Sequence, residues 1–106
     1  MYCYIWSYKV RTGHIDAFKT AYGQQGDWVR LFRRGPEYLR SELLNDRNDT
    51  NRFMTIDYWR SRDACEEFLA RFAIEYDEID RRCADFTHEE TLLGEFEVVS
   101  PPAMGK

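Results

Sequence analysis

Residues 2–10 alternate with period two: Tyr2, Tyr4, Trp6, Tyr8 and Val10 fall on one side, and Cys3, Ile5, Ser7 and Lys9 on the other. Alternation this rich in aromatic residues predicts a β-strand. Arg11-Thr12-Gly13-His14 reads as a turn, after which Ile15, Phe18 and Tyr22 recur at helical spacing over residues 14–22. Gly23 and Gly26 interrupt that helix. Asp27 is placed to cap a second short helix with Trp28, Leu31 and Phe32 on its apolar side, and Gly35-Pro36 ends it. The first crossover is therefore expected to be a broken helix with a central loop, a kind of segment that often closes over a cavity.

Residues 37–45 predict a second strand, carrying Leu39, Leu43 and Leu44. Asn45 to Asn51 is turn chemistry throughout, so a hairpin leads into a third strand over 52–60. Ser61 is the expected cap of one long helix, about 61–84, with Ala64, Cys65, Phe68, Phe72, Tyr76, Ile79 and Cys83 on a single stripe. The last strand is expected over about 89–99, followed by a loose tail at 100–106, so that 1–99 form one domain.

The order β-α-β-β-α-β predicts an α+β, ferredoxin-like sandwich. Right-handed crossovers place the helices on one face of a four-stranded antiparallel sheet. The strands carry large side chains on both faces: Met54, Ile56 and Tyr58 oppose Phe53 and Trp59, and Ile5 opposes Trp6 and Tyr8. A sheet apolar on both sides calls for cover on both, and a second copy of the chain, in a homodimer, is the simplest cover.

Composition narrows the function. The 106 residues carry 15 basic and 19 acidic side chains, a net charge of −4, without a basic stripe, which argues against nucleic acid as a partner. Arg30, Arg33, Arg34 and Arg40 cluster, either as a solvated face or as an anion site. Cys3, Cys65 and Cys83 are odd in number and read as small buried hydrophobes of a reducing compartment. No apolar run reaches the ~20 residues of a membrane span, and the amino terminus has no signal-peptide pattern, so a cytoplasmic protein without a membrane partner is expected.

Asp57 stands out, a carboxylate within an apolar and aromatic strand, on the face of Phe53, Thr55 and Trp59. Burial of such a group is costly unless it is paired or used. In a dry pocket its pKa would rise and suit it to accept a proton; paired with an arginine or a helix-end N–H it would be structural. His14 is a second candidate proton acceptor. Trp6, Tyr8, Trp28 and Trp59 suit either core packing or an aromatic wall for a flat ligand. His14 and His88 have no metal-ligand spacing around them, so no metal is expected. Gly23-Gln24-Gln25-Gly26 lacks the Lys and Ser/Thr of a phosphate cradle.

The segments Gly26-Asp27-Trp28-Val29-Arg30-Leu31-Phe32-Arg33-Arg34, Tyr38-Leu39-Arg40-Ser41-Glu42-Leu43-Leu44 and Thr55-Ile56-Asp57-Tyr58-Trp59-Arg60-Ser61, with Ala64 and Phe68 beyond, resemble the antibiotic biosynthesis monooxygenase-like family of the dimeric α/β barrel superfamily. The resemblance spans residues 2 to about 97. It implies a homodimer with a small-molecule pocket between sheet and helices, and a cofactor-free oxygenase acting on an aromatic, polyketide- or quinol-type molecule. On that reading Asp57, with His14 as runner-up, is the base, Trp6, Tyr8, Trp28, Trp59, Phe68, Phe72 and Tyr76 hold the substrate, and Arg40 stabilises an anion. A non-catalytic or stress-related binding protein on the same scaffold is the alternative. Haem-degrading relatives carry a histidine late in the second helix and an asparagine on the first strand. This sequence has Glu75-Tyr76-Asp77-Glu78 in the helix and no asparagine in residues 2–10, which speaks against haem.

Overall fold

The computed structural model describes residues 1–100; the tail expected from 100 onward lies, apart from Ser100, outside them. Strand β1 (Tyr2–Val10) leads through a 3₁₀ turn at Thr12–His14 into α1 (Ile15–Tyr22) and α2 (Asp27–Phe32). Strands β2 (Tyr38–Asp46) and β3 (Asp49–Trp59) form the hairpin; α3 (Arg62–Arg71), α4 (Ala73–Cys83) and a second 3₁₀ turn (Ala84–Phe86) follow; β4 (Thr87–Glu97) closes the sheet. The sheet order is β2-β3-β1-β4 with antiparallel pairing throughout, the expected ferredoxin-like arrangement.

The alternation of β1 decides which face is the core. Tyr2, Tyr4, Tyr8 and Val10 are buried beneath the helices with Phe53 and Trp59 of β3. Phe18 and Tyr22 of α1 stack at 4.1 Å, and Phe18 also meets Tyr8 and Phe53. Phe32 of α2 and Phe68 of α3 close on Trp59 at 5.8 and 4.9 Å. Burying rings of this size contributes about 2–3 kcal/mol each by area. On the other face Ile5, Met54, Ile56 and Tyr58 are half-buried, while Leu44 and Phe96 are 44% and 47% exposed.

Local chemistry departs from the sequence expectation at several points. The long helix is two helices, broken at Phe72, whose φ of −107° and ψ of 28° leave the helical region. No glycine or proline marks the break. Phe72 lies 4.6 Å from Phe68, and the Arg34 guanidinium covers its ring at 4.6 Å. The change of direction lets α4 bring Tyr76 onto Trp28 at 4.8 Å. Ser61 does cap α3, accepting from the Ala64 amide at 3.1 Å. Asp27 is the first residue of α2 rather than its cap; Gly26 takes the cap position. A Cβ on Gly26 would lie 2.2 Å from the Ala21 carbonyl oxygen, so only glycine permits this junction of α1 and α2. The hairpin turn is shorter than expected, because β2 runs to Asp46 and β3 starts at Asp49. All three cysteines are free and buried.

Candidate functional site

Two register positions build the site. Asp57 sits opposite Tyr4 of β1 and opposite Ser41 of β2, on the inward face. An irregularity in β2 between Tyr38 and Arg40 sets that phase, turning Ser41 inward and leaving Arg40 outward. Ser41 Oγ donates to Asp57 Oδ1, and Tyr38 Oη lies 2.7 Å from Ser41 Oγ. With the serine proton committed to the carboxylate, the tyrosine donates, giving a chain Tyr38 to Ser41 to Asp57. Gln24, in the loop between α1 and α2, donates from Nε2 to the Ser41 carbonyl at 2.6 Å and ties that loop to the sheet.

Above this carboxylate is a cavity of ≈ 70 Å³. Trp6 and Tyr8 of β1 line it with Thr55 of β3, Tyr22 of α1, Trp28 and Phe32 of α2 and Tyr76 of α4; Glu90 of β4 stands exposed at its rim. The broken first crossover thus supplies one wall, as the glycine pair implied. Tyr4, Trp6 and Tyr76 also border a more open cleft of ≈ 210 Å³ against Leu69 and Leu92. Tyr8 Oη and Thr55 Oγ1 are hydrogen-bonded at 3.2 Å. The Trp28 indole N–H lies beside the Tyr22 hydroxyl and the Cys83 thiol, without a partner in strict hydrogen-bond geometry.

Burial pushes the Asp57 carboxyl up to about 6, with the Ser41 hydroxyl and then the Tyr4 phenol pulling the other way. No arginine or lysine pairs with it among the described residues. A carboxylate in that condition exchanges protons near neutrality. Burial raises the tyrosines as well, Tyr76 to about 12 and Tyr4 and Tyr8 well above the usual phenol range, so they remain neutral donors.

Of the residues expected at a site from sequence, Asp57, Trp6, Tyr8, Trp28 and Tyr76 meet at this cavity. The others do not. Trp59 is wholly buried among Phe32, Tyr38 and Phe68, because it ends β3 just where α3 folds over it. Phe68 and Phe72 line a separate cleft of ≈ 80 Å³ beside Gly35 and Pro36. Arg40 lies on the opposite face with its guanidinium 4.2 Å above the Tyr58 ring. His14 packs 5.9 Å from Phe86, away from the cavity. Sequence reasoning missed Ser41, Tyr38, Tyr22 and Glu90. Tyr4 and Thr55 were visible as same-face neighbours of Trp6 and Asp57.

The same lining tests a porphyrin. Its iron needs an axial ligand and its propionates need cations. Among the described residues the lining offers only phenols as axial ligands, Tyr4, Tyr8, Tyr22 and Tyr76, with no histidine, cysteine or methionine. Its charged groups are the carboxylates Asp57 and Glu90, with no cation for a propionate. The residues present do not fit haem. Among the described residues no group of three or more His, Cys, Asp or Glu could hold a metal ion. No helix there is long and apolar enough to cross a membrane.

Comparison with known proteins agrees with this architecture. A putative antibiotic biosynthesis monooxygenase from Nitrosomonas europaea superposes with a TM-score of 0.74 at 21% identity, covering 94% of this chain and 100% of the other. A point variant of SnoaB, a cofactor-independent oxygenase from Streptomyces nogalater, gives 0.64 at 18% identity over 94% of each chain. A point variant of MhuD, with two manganese protoporphyrin IX molecules per active site, gives 0.75 at 20% identity over 97% of this chain and 99% of the other. No curated protein sequence matches the chain. The family model described as antibiotic biosynthesis monooxygenase matches residues 1–74, from β1 to the start of α4. The chain belongs to the antibiotic biosynthesis monooxygenase family.

Proposed function

We propose that this protein is a cofactor-free oxygenase that takes an aromatic or quinol-type small molecule into the cavity beneath α1, α2 and α4, with Asp57 as the base. The observation that carries this reading is a buried, cation-free carboxylate facing an aromatic cavity, its pKa near 6. Above that pH it is ionised and accepts a proton from an activated C–H or phenol. For an anthrone, loss of a proton from the ring CH₂ leaves a carbanion. The carbanion passes one electron to O₂, and the resulting radical and superoxide combine into a peroxide. The peroxide takes the proton back from Asp57 and loses water, leaving a carbonyl. One oxygen atom ends in the product and one in water, so no outside reductant is consumed. Tyr76 supplies a neutral phenol donor to the developing anion, while the Tyr4 phenol supports the Asp57 carboxylate.

The protein works as a homodimer on this reading, its apolar outer sheet face, with Ile5, Ile56, Leu44 and Phe96, meeting the same face of a second copy. A rival reading, binding without turnover, draws on the hydrogen bond that already occupies Asp57 Oδ1. Oxygen uptake with a panel of anthrones and quinols, beside shifts in melting temperature with the same compounds, separates the two. The oxygenase reading expects uptake that rises with pH through about 6 and is lost in Asp57→Asn. Melting shifts without uptake support binding alone.

A further inference from the structure

The charge of the cavity says more about its ligand. Its lining holds two carboxylates, Asp57 in the interior and Glu90 at the mouth, and among the described residues no lysine, arginine or histidine. Arg33, close enough to act on Tyr38, is exposed and outside the lining, and several other cations are engaged elsewhere. Arg30 and Arg82 both bind Asp27, Lys9 binds Asp49, and the Arg34 guanidinium lies over Phe72.

The rest of the wall is a run of aromatic rings in contact. Trp6 and Tyr8 lie 6.5 Å apart, Tyr8 and Tyr22 5.2 Å, Tyr22 and Trp28 5.9 Å, and Trp28 and Tyr76 4.8 Å. From Tyr8 onward the successive rings are turned by 62°, 42° and 65°. Neighbouring rings are thus steeply inclined to one another and do not form one flat shelf. Ring faces carry partial negative charge, and a set of them wrapped around a site attracts ammonium groups. An anionic ligand would meet Asp57 in a buried setting that screens charge poorly and Glu90 at the wetter mouth, with no counter-ion in the lining.

We infer that the ligand of this cavity carries a positive charge, as a quaternary or protonated amine attached to an aromatic ring. The inference rests on the small-molecule reading above and names the ligand class within it. It also answers a need of the proposed chemistry. With Arg40 on the opposite face, no cation among the described residues lines the cavity to balance the negative charge formed when the substrate loses its proton. A cationic substituent on the substrate supplies that balance itself.

The test is displacement binding, followed by tryptophan fluorescence, with three probes of similar size: phenyltrimethylammonium, neutral tert-butylbenzene and benzenesulfonate. The ammonium probe is expected to bind at least tenfold more tightly than the neutral one, with benzenesulfonate weakest. Glu90→Gln, at an exposed position and still able through its amide oxygen to accept the hydrogen bond of the Thr87 hydroxyl, is expected to weaken the ammonium probe at least threefold and leave tert-butylbenzene unchanged. Equal affinity for the ammonium and neutral probes, tighter binding of benzenesulfonate, or no binding of the ammonium probe overturns the inference. Asp57-dependent oxidation of a neutral anthrone without an ammonium preference would sink this inference alone. Ammonium preference without oxygen uptake would support it and remove the oxygenase reading.

Discussion

Replacing Asp57 by asparagine keeps the shape of the side chain and removes its charge. The carboxyl's pKa is about 6 in the fold against an ordinary 3.8, a gap of about two units. At about 1.4 kcal/mol per unit, ionising Asp57 in the folded protein costs about 3 kcal/mol more than ionising it in the unfolded chain. A raised folded pKa means that this group stabilises the protein fully below about pH 4. The contribution is lost as pH rises through about 6 and is absent above it. The asparagine is neutral throughout and still accepts the Ser41 hydrogen bond through its carbonyl oxygen. The stability of Asp57→Asn minus that of the wild type should therefore climb by about 2–2.5 kcal/mol between pH 4 and pH 7, most of the full difference, and then level off. Urea unfolding at fixed protein concentration, repeated across that range, measures the difference, and other titrating groups cancel in it. A difference that stays flat would mean Asp57 ionises as easily inside as outside. A difference that falls with pH would mean its charge is paired, and the argument for a poised base would fail.

Ser41→Ala removes the first donor to Asp57 and breaks the link to Tyr38. It should cost about 1–2 kcal/mol at neutral pH and move the pH dependence of oxygen uptake upward, since the ionised carboxylate loses its strongest support; an unmoved profile would place Ser41 outside the proton chemistry. Gly26→Val drives a side chain into the Ala21 and Thr20 carbonyls, which a Cβ would approach to 2.2 and 2.3 Å. Thermal unfolding should show a loss of about 1–3 kcal/mol or more, and weaker ligand binding as Trp28 shifts with α2. On the outer sheet face, Leu44→Asp together with Ile56→Asp should convert a particle of twice 12.8 kDa into a single chain by analytical ultracentrifugation; an unchanged mass in the double variant would place any interface elsewhere.

Some of this molecule can be read from its residues and some cannot, for physical reasons. The period-two pattern of β1 puts Tyr4, Trp6 and Tyr8 on one side, and β3 does the same for Phe53, Thr55, Asp57 and Trp59. A regular strand preserves such phase, so the carboxylate's aromatic surroundings were legible. In β2, Tyr38-Leu39-Arg40-Ser41-Glu42-Leu43-Leu44 has no clean alternation, and the irregularity after Tyr38 decides that Ser41 points in and Arg40 out. Pairing with β3 makes that choice, which no local propensity encodes. Trp59 shares the face of Asp57, but α3 and Phe32 of α2 close over it, so facing inward did not mean facing the cavity. The break at Phe72 likewise follows from packing against Phe68 and Arg34, with nothing in the local sequence to announce it.

The central claim is that Asp57 takes a proton from a ligand held against these rings. An anthrone added to the protein without oxygen, above pH 6, isolates that step, because the anion absorbs at longer wavelength than the parent and has nothing to react with. The account predicts that the wild type generates the anion's absorption on binding and that Asp57→Asn binds the compound without generating it. Equal anion formation in both proteins, or binding to the wild type with no anion, would contradict it.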